Sequence, residues 1–160
     1  MTSNERTVPG VGLLVHDLFW TKQQQMTIFR QEKIVPIKFD GELGEELETE
    51  QIAAYIRFFK CDITLLEKAE ISIYKYYLSI MPEYRDIYGE QADQYAPLIN
   101  DKFDIGKLVS FRSVYFPYSF NSGDRIAGLL FDCKWEEEHG LAVKFINEEI
   151  AEVGYQDIIL

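Results

Sequence analysis

Histidine, cysteine and proline are scarce in this chain: two, two and five among 160 residues. The histidines, His16 and His139, lie far apart in sequence, and with Cys61 and Cys133 they make up the right number of zinc ligands without any characteristic zinc spacing. Positive charge is also short, with 16 Lys and Arg against 27 Asp and Glu, for a formal net charge of -11. A surface of that sign repels a phosphate backbone and an anionic bilayer, so neither nucleic acid nor membrane is an expected partner. No apolar run approaches the roughly 20 residues needed to span a bilayer. Residues 1–10 are polar and lack the apolar stretch of a secretory signal, and few cysteines suit a reducing compartment, so the expected location is the cytoplasm. There is no repeat, low-complexity tract or linker, and residues 1–160 are read as a single domain.

What is abundant is bulk. Hydrophobic residues make up 47% of the chain, with 11 Phe and 10 Tyr, enough to build a core without metal or disulfides. The excess acid has two readings. It keeps the protein in solution, or it offers a complementary field to a basic protein partner.

Val11 to Phe19, Met26 to Arg30 and Ile34 to Phe39 read as antiparallel strands, with the polar patch Thr21 to Gln25 as a separator. Pro36 cannot donate to a ladder, which predicts an edge strand or a strand start there and argues against a central position. An acidic run follows, with Glu42, Glu45, Glu46, Glu48 and Glu50; Thr49 is a candidate helix cap, and the carboxylates suit the positive end of the helix dipole. Ile52, Ile56, Phe59, Ile63, Leu66, Ile73, Tyr77 and Ile80 recur at helical spacing. A capping box at Thr64 and Glu67 splits them into helices over about 50–60 and 65–80, the second ended by Pro82. A short helix is expected near Gln91 to Leu98. Four β-prone segments then run Leu108–Pro117, Ile126–Trp135, Leu141–Ile146 and Ile150–Tyr155, separated by turn residues such as Asn147-Glu148. The predicted class is α+β: N-terminal strands in an antiparallel sheet, two central amphipathic helices packed on it, and a C-terminal antiparallel meander.

The densest chemistry lies in Phe131-Asp132-Cys133-Lys134-Trp135-Glu136-Glu137-Glu138-His139-Gly140. Strand alternation points Cys133 into the core as an unreactive small hydrophobe and sets Trp135 at the rim. Glu136 to Gly140 reads as a hairpin connection, with Gly140 supplying a positive φ. Three adjacent acids need compensation, and Glu138 beside His139 is a candidate carboxylate partner for the imidazole. Asp132, Glu136 and Glu138 offer oxygen ligands for a hard cation, but without the Asp/Asn-Gly pattern of a calcium loop. No nucleophile or electrophile accompanies His139 in sequence and no cofactor motif is present, so no cofactor is expected. Elsewhere, Tyr115-Phe116-Pro117-Tyr118-Ser119-Phe120 carries four aromatics that cannot all face inward, and two or three of them exposed would make a protein-binding patch.

The string from Gly128 to Val143 resembles a family of uncharacterised bacterial domains with an FxCxWxxEHG-type signature. The likeness extends to Thr49-Glu50-Gln51, Ile73-Tyr74-Lys75-Tyr76-Tyr77 and Val153-Gly154-Tyr155-Gln156-Asp157. Ala142 stands where the pattern has glycine, and Cys61 where it has asparagine; neither departure removes a chemical group. The resemblance implies a role like that of immunity proteins in bacterial toxin systems. The resulting expectation is a non-enzymatic module that binds a basic protein such as a toxin through Trp135, Glu137, Glu138, His139, Tyr115 and Tyr118. Two alternatives stand beside it: a small enzyme or metal- or ligand-binding protein centred on Asp132, Glu138 and His139, and a self-associating module.

Overall fold

A computed structural model describes residues 3–160. Eight strands form one sheet whose spatial order follows the chain: β1 (Glu5–Val8), β2 (Gly12–His16), β3 (Trp20–Ile28), β4 (Gln31–Phe39), β5 (Val109–Phe116), β6 (Ile126–Cys133), β7 (Leu141–Ile146) and β8 (Glu149–Gly154). All neighbouring strands pair antiparallel except β4 and β5, which run parallel through Ile37–Phe39 and Val114–Phe116. A parallel pair needs a long crossover. Here it contains α1 (Thr49–Lys60), α2 (Asp62–Tyr88) and the short α3 (Ala92–Tyr95). The protein is thus α+β with a mostly antiparallel sheet. Among the described residues, no helix is long and apolar enough to cross a membrane.

Several N-terminal expectations are corrected. Thr21 to Gln25 does not separate strands but lies inside β3, paired with Ile34 to Lys38. Thr21, Gln23, Gln25 and Thr27 share one face of β3 and are half-buried or exposed, while Trp20, Met26 and Ile28 on the other face are buried. The polar run is therefore the wet side of a strand. Pro36 sits in a central strand, not at an edge. It is tolerated because pairing with β5 begins only at the next residue, Ile37.

The helices differ at their ends. Glu48, not Thr49, caps α1, in a reciprocal box with Gln51. Thr64 lies inside α2, which runs through Pro82 to Tyr88. An internal proline forfeits one helical hydrogen bond and costs about 3 kcal/mol. Contacts beyond it hold the last turns in place: Arg85 donates to the Ala96 carbonyl at 3.0 Å and Tyr88 to the Trp135 carbonyl at 2.8 Å.

One face of the sheet packs on the helices through an aromatic cluster in which Phe116 meets Phe39 at 5.1 Å and Phe58 at 6.3 Å between ring centroids. A smaller cluster of Tyr115, Leu130, Ala142 and Ile159 occupies the other face. Gly128 makes it possible, since a Cβ there would stand 2.6 Å from Ile159.

Gln51 joins the layers. Its side chain is 1% exposed, donates to the carbonyls of Asp40 (2.9 Å) and Phe116 (3.0 Å) at the ends of the parallel strands, and accepts from the Glu48 amide (2.9 Å). Gln51→Ala leaves these groups unpaired in the interior and is expected to cost about 2–4 kcal/mol, measurable by urea unfolding.

Candidate functional site

The loop carrying the glutamate-histidine-glycine string connects β6 to β7 and spans 134–140, because β6 ends at Cys133 and not at Trp135. Trp135 is 1% exposed, well inside the core and not at its rim. Gly140 has φ 65° and donates to the Glu136 carbonyl at 3.0 Å, closing the turn.

Glu136 is the centre of this loop. Its carboxylate accepts from the Tyr84 hydroxyl at 3.2 Å and lies 3.3 Å from His139 Nδ1. The sequence suggested Glu138 as the imidazole's partner; the turn brings Glu136 there instead, three residues before the ring. His139 also stacks on Tyr155 with 4.8 Å between centroids, and the Tyr155 and Tyr84 hydroxyls are 3.0 Å apart. Burial, the Tyr155 hydroxyl and the Glu136 carboxylate hold the Tyr84 phenol well above its ordinary range. The loop is thereby tied to the last turns of α2.

Burial pushes the Cys133 thiol up to about 12, leaving it protonated and unreactive at neutral pH. His16 lies elsewhere, with Nε2 2.7 Å from the Gly41 carbonyl and its ring against Trp20. The three carboxylates considered for a cation go separate ways: Asp132 pairs with Arg112, Glu136 is bound as described, and Glu138 is exposed. Among the described residues, no cluster of three or more His, Cys, Asp or Glu has the arrangement to hold a metal.

A different grouping emerges at the other end of β6. The acidic run after β4 and the aromatic run after β5, separate in sequence, are laced together. Asp40 accepts from the Tyr115 hydroxyl (2.6 Å) and the Tyr118 amide (3.1 Å), Glu45 from the Tyr118 hydroxyl (3.2 Å), and Glu48 from the Ser119 amide (2.6 Å). Burial and the Asp40 carboxylate raise the Tyr115 phenol strongly. Phe120, packed on Tyr118, is 82% exposed; in the acidic loop Leu43 is 45% exposed and Glu42, Glu45 and Glu46 are exposed as well. Among the described residues none of the acids from Glu42 to Glu50 is in an ion pair; Arg6 reaches this loop but donates to the Glu45 carbonyl. The result is an exposed aromatic beside a run of carboxylates, with the Arg6 guanidinium at the edge of the run.

The expected binding residues are therefore divided. Tyr115 and Tyr118 stand at one end of β6, with Tyr115 buried as a support and Tyr118 half-buried. Glu137, Glu138 and His139 are exposed at the opposite end, about 25 Å away over an eight-residue strand. Of the four aromatics in the run 115–120, Phe120 is exposed and Tyr118 half-buried, while Tyr115 and Phe116 are buried; exposed Leu43 in the acidic loop has no signal in the sequence pattern. The excess of aromatics in the run 115–120 was the available signal for Phe120.

Two measurements check this chemistry. At pH 8 iodoacetamide is expected to label exposed Cys61 and to reach buried Cys133 only after denaturation, giving one adduct natively and two in urea by mass spectrometry. Tyr77, raised to about 12 by burial, and Tyr84 and Tyr115, raised further, remain protonated in the fold while the unfolded chain ionises near 10. Their contribution to stability is full below pH about 10 and is lost as pH rises through the folded values. A titration at 295 nm should thus show a fraction of the ten tyrosines ionising only as the alkaline protein unfolds.

No curated protein and no solved structure matches the chain. One family does match, over residues 10–160, which include every strand except β1 and both surfaces described above. The chain belongs to the family described as Domain of unknown function (DUF6985).

Proposed function

We propose that this protein is a non-enzymatic binding module that engages a basic protein through the joined acidic and aromatic surface. The observation that carries the reading is the lacing of Asp40, Glu45 and Glu48 to Tyr115, Tyr118 and Ser119, which holds the segment carrying exposed Phe120 against the acidic loop that carries exposed Leu43. A central apolar anchor with a charged rim is the anatomy of a protein interface: the anchor supplies affinity, the rim speeds and orients encounter. The net charge of -11 extends the same field over the whole molecule.

A cytoplasmic immunity-type role, covering a cationic toxin, fits this surface and the resemblance of the tail string. Preformed hydrogen bonds beneath the anchor keep the entropy lost on binding small. Glu137, Glu138 and His139, at the far end of β6, form a second exposed acidic point and are assigned no share in this contact.

Affinity capture from host lysate at 50 and 500 mM salt tests the reading, with wild type beside Phe120→Ser and the double variant Glu42→Gln/Glu46→Gln. Proteins of high isoelectric point should be retained at low salt only, and about tenfold less by either variant. Equal retention by all three chains, or capture of nothing but a second copy of the bait, refutes the assignment.

A further inference from the structure

The β3–β4 connection is a two-residue turn, Phe29-Arg30, with both residues left-handed at φ 50° and 61°. Such turns favour Asn and Gly, and side chains as large as these take up the conformation only when their surroundings impose it. The imposing group is Glu70 on α2, whose side chain is 9% exposed. One of its oxygens accepts from the Phe29 amide at 2.6 Å and the other from Lys102 Nζ at 3.1 Å. Phe29 itself is buried.

The consequence is the placement of Arg30. Its guanidinium carbon lies 3.6 Å from the centroid of the Phe103 ring, and Lys102 Nζ lies 4.8 Å from the same centroid. Glu70 neutralises Lys102. Arg30, by contrast, has no ion pair among the described residues, so a guanidinium steadied by a ring keeps its donors unoccupied.

Arg30 borders a cavity of about 640 Å³ between the hairpin, the first turns of α2 and the turn Lys102–Lys107. Asp62 and Glu67 on α2 line it too, and neither is in an ion pair among the described residues. Buried Met26 and Leu66 supply apolar lining. Beyond the Lys102–Glu70 pair the lining carries one guanidinium and two carboxylates, so a ligand with groups of both signs matches it better than one of a single sign. A molecule with a carboxylate, an ammonium and a short apolar chain satisfies all three kinds of lining.

We infer that the cavity bounded by Arg30, Asp62, Glu67, Met26 and Leu66 binds a free α-amino acid with an aliphatic side chain. Arg30 takes the carboxylate in a two-pronged contact, Asp62 and Glu67 take the ammonium, and the side chain lies on Met26 and Leu66. Glu70 is a positioning residue that holds the turn and leaves Arg30 free. This site is separate from the acidic and aromatic surface and does not depend on it.

Calorimetry on the full chain tests the inference with L-leucine, L-leucinamide and N-acetyl-L-leucine as probes. L-leucine is expected to bind with a Kd below about 1 mM, and loss of either ligand charge to weaken binding at least about tenfold. Arg30→Asn suits the left-handed backbone, so it should keep the melting temperature while losing binding by about the same factor. Should that variant not fold, Glu67→Gln on the exposed helix face carries the test, with weakened binding of L-leucine and unchanged binding of L-leucinamide contradicting the ammonium contact. No heat and no thermal shift with any aliphatic amino acid at about 10 mM, or undiminished binding by Arg30→Asn, overturns the proposal.

Discussion

Gln51 holds the one place where the chain reverses its habit. Every other strand pairs antiparallel with its predecessor, so each ladder follows from a local connection. The three-residue parallel ladder between β4 and β5 has no local connection to enforce it. A buried amide at the third position of α1 bonds the end of each strand and completes the helix cap at the same time. Sheet, crossover and cap are therefore one arrangement. The acidic segment from Asp40 to Glu48 is held between strand end and helix start, which brings Glu48 to Ser119 and Asp40 to Tyr118.

Tyrosine serves throughout as a rigid strut, with an apolar ring in the core and a hydroxyl that reaches a distant acceptor. Tyr77 donates to the Pro97 carbonyl, Tyr88 to that of Trp135, and Tyr115 to Asp40. Among the described residues, two buried polar atoms lack such a partner, Trp20 Nε1 and Ser119 Oγ. The tyrosine-rich composition thus reflects connection between elements as much as core volume. It also explains why the glutamate-histidine-glycine loop is well anchored: Tyr84 and Tyr88 reach it from α2, and Tyr155 from beyond β8.

The C-terminal meander was legible because apolar residues alternate there and turn residues punctuate it; β7 lies at Leu141–Ile146, where the pattern placed it. The N-terminal strands were legible in part: Val11–Phe19 contains β2 and Ile34–Phe39 lies in β4, both antiparallel to β3, but the first half of β3 turns a glutamine-rich face to water and reads locally as a break. Both prolines misled for one reason. A proline rule prices only the local bond, whereas Pro36 sits just before a ladder begins and Pro82 is followed by tertiary hydrogen bonds that hold the helix. At the candidate surfaces, residue types were visible but neighbours were not. Nothing in the string Glu136-Glu137-Glu138 says which acid faces the imidazole, and no Asn or Gly announces the left-handed turn at Phe29 and Arg30, whose cause is a carboxylate 41 residues downstream of Phe29.

The parallel seam also shapes how the chain must fold. Antiparallel neighbours meet across short connections, but Asp40 and Tyr115 are 75 residues apart, and closing a loop of that size costs about 4 kcal/mol in the length-dependent part of its entropy. Hairpins and helices organise on either side at small cost. The entropic barrier is concentrated in the encounter of the two half-sheets, so the kinetics depend on a junction only three residues long.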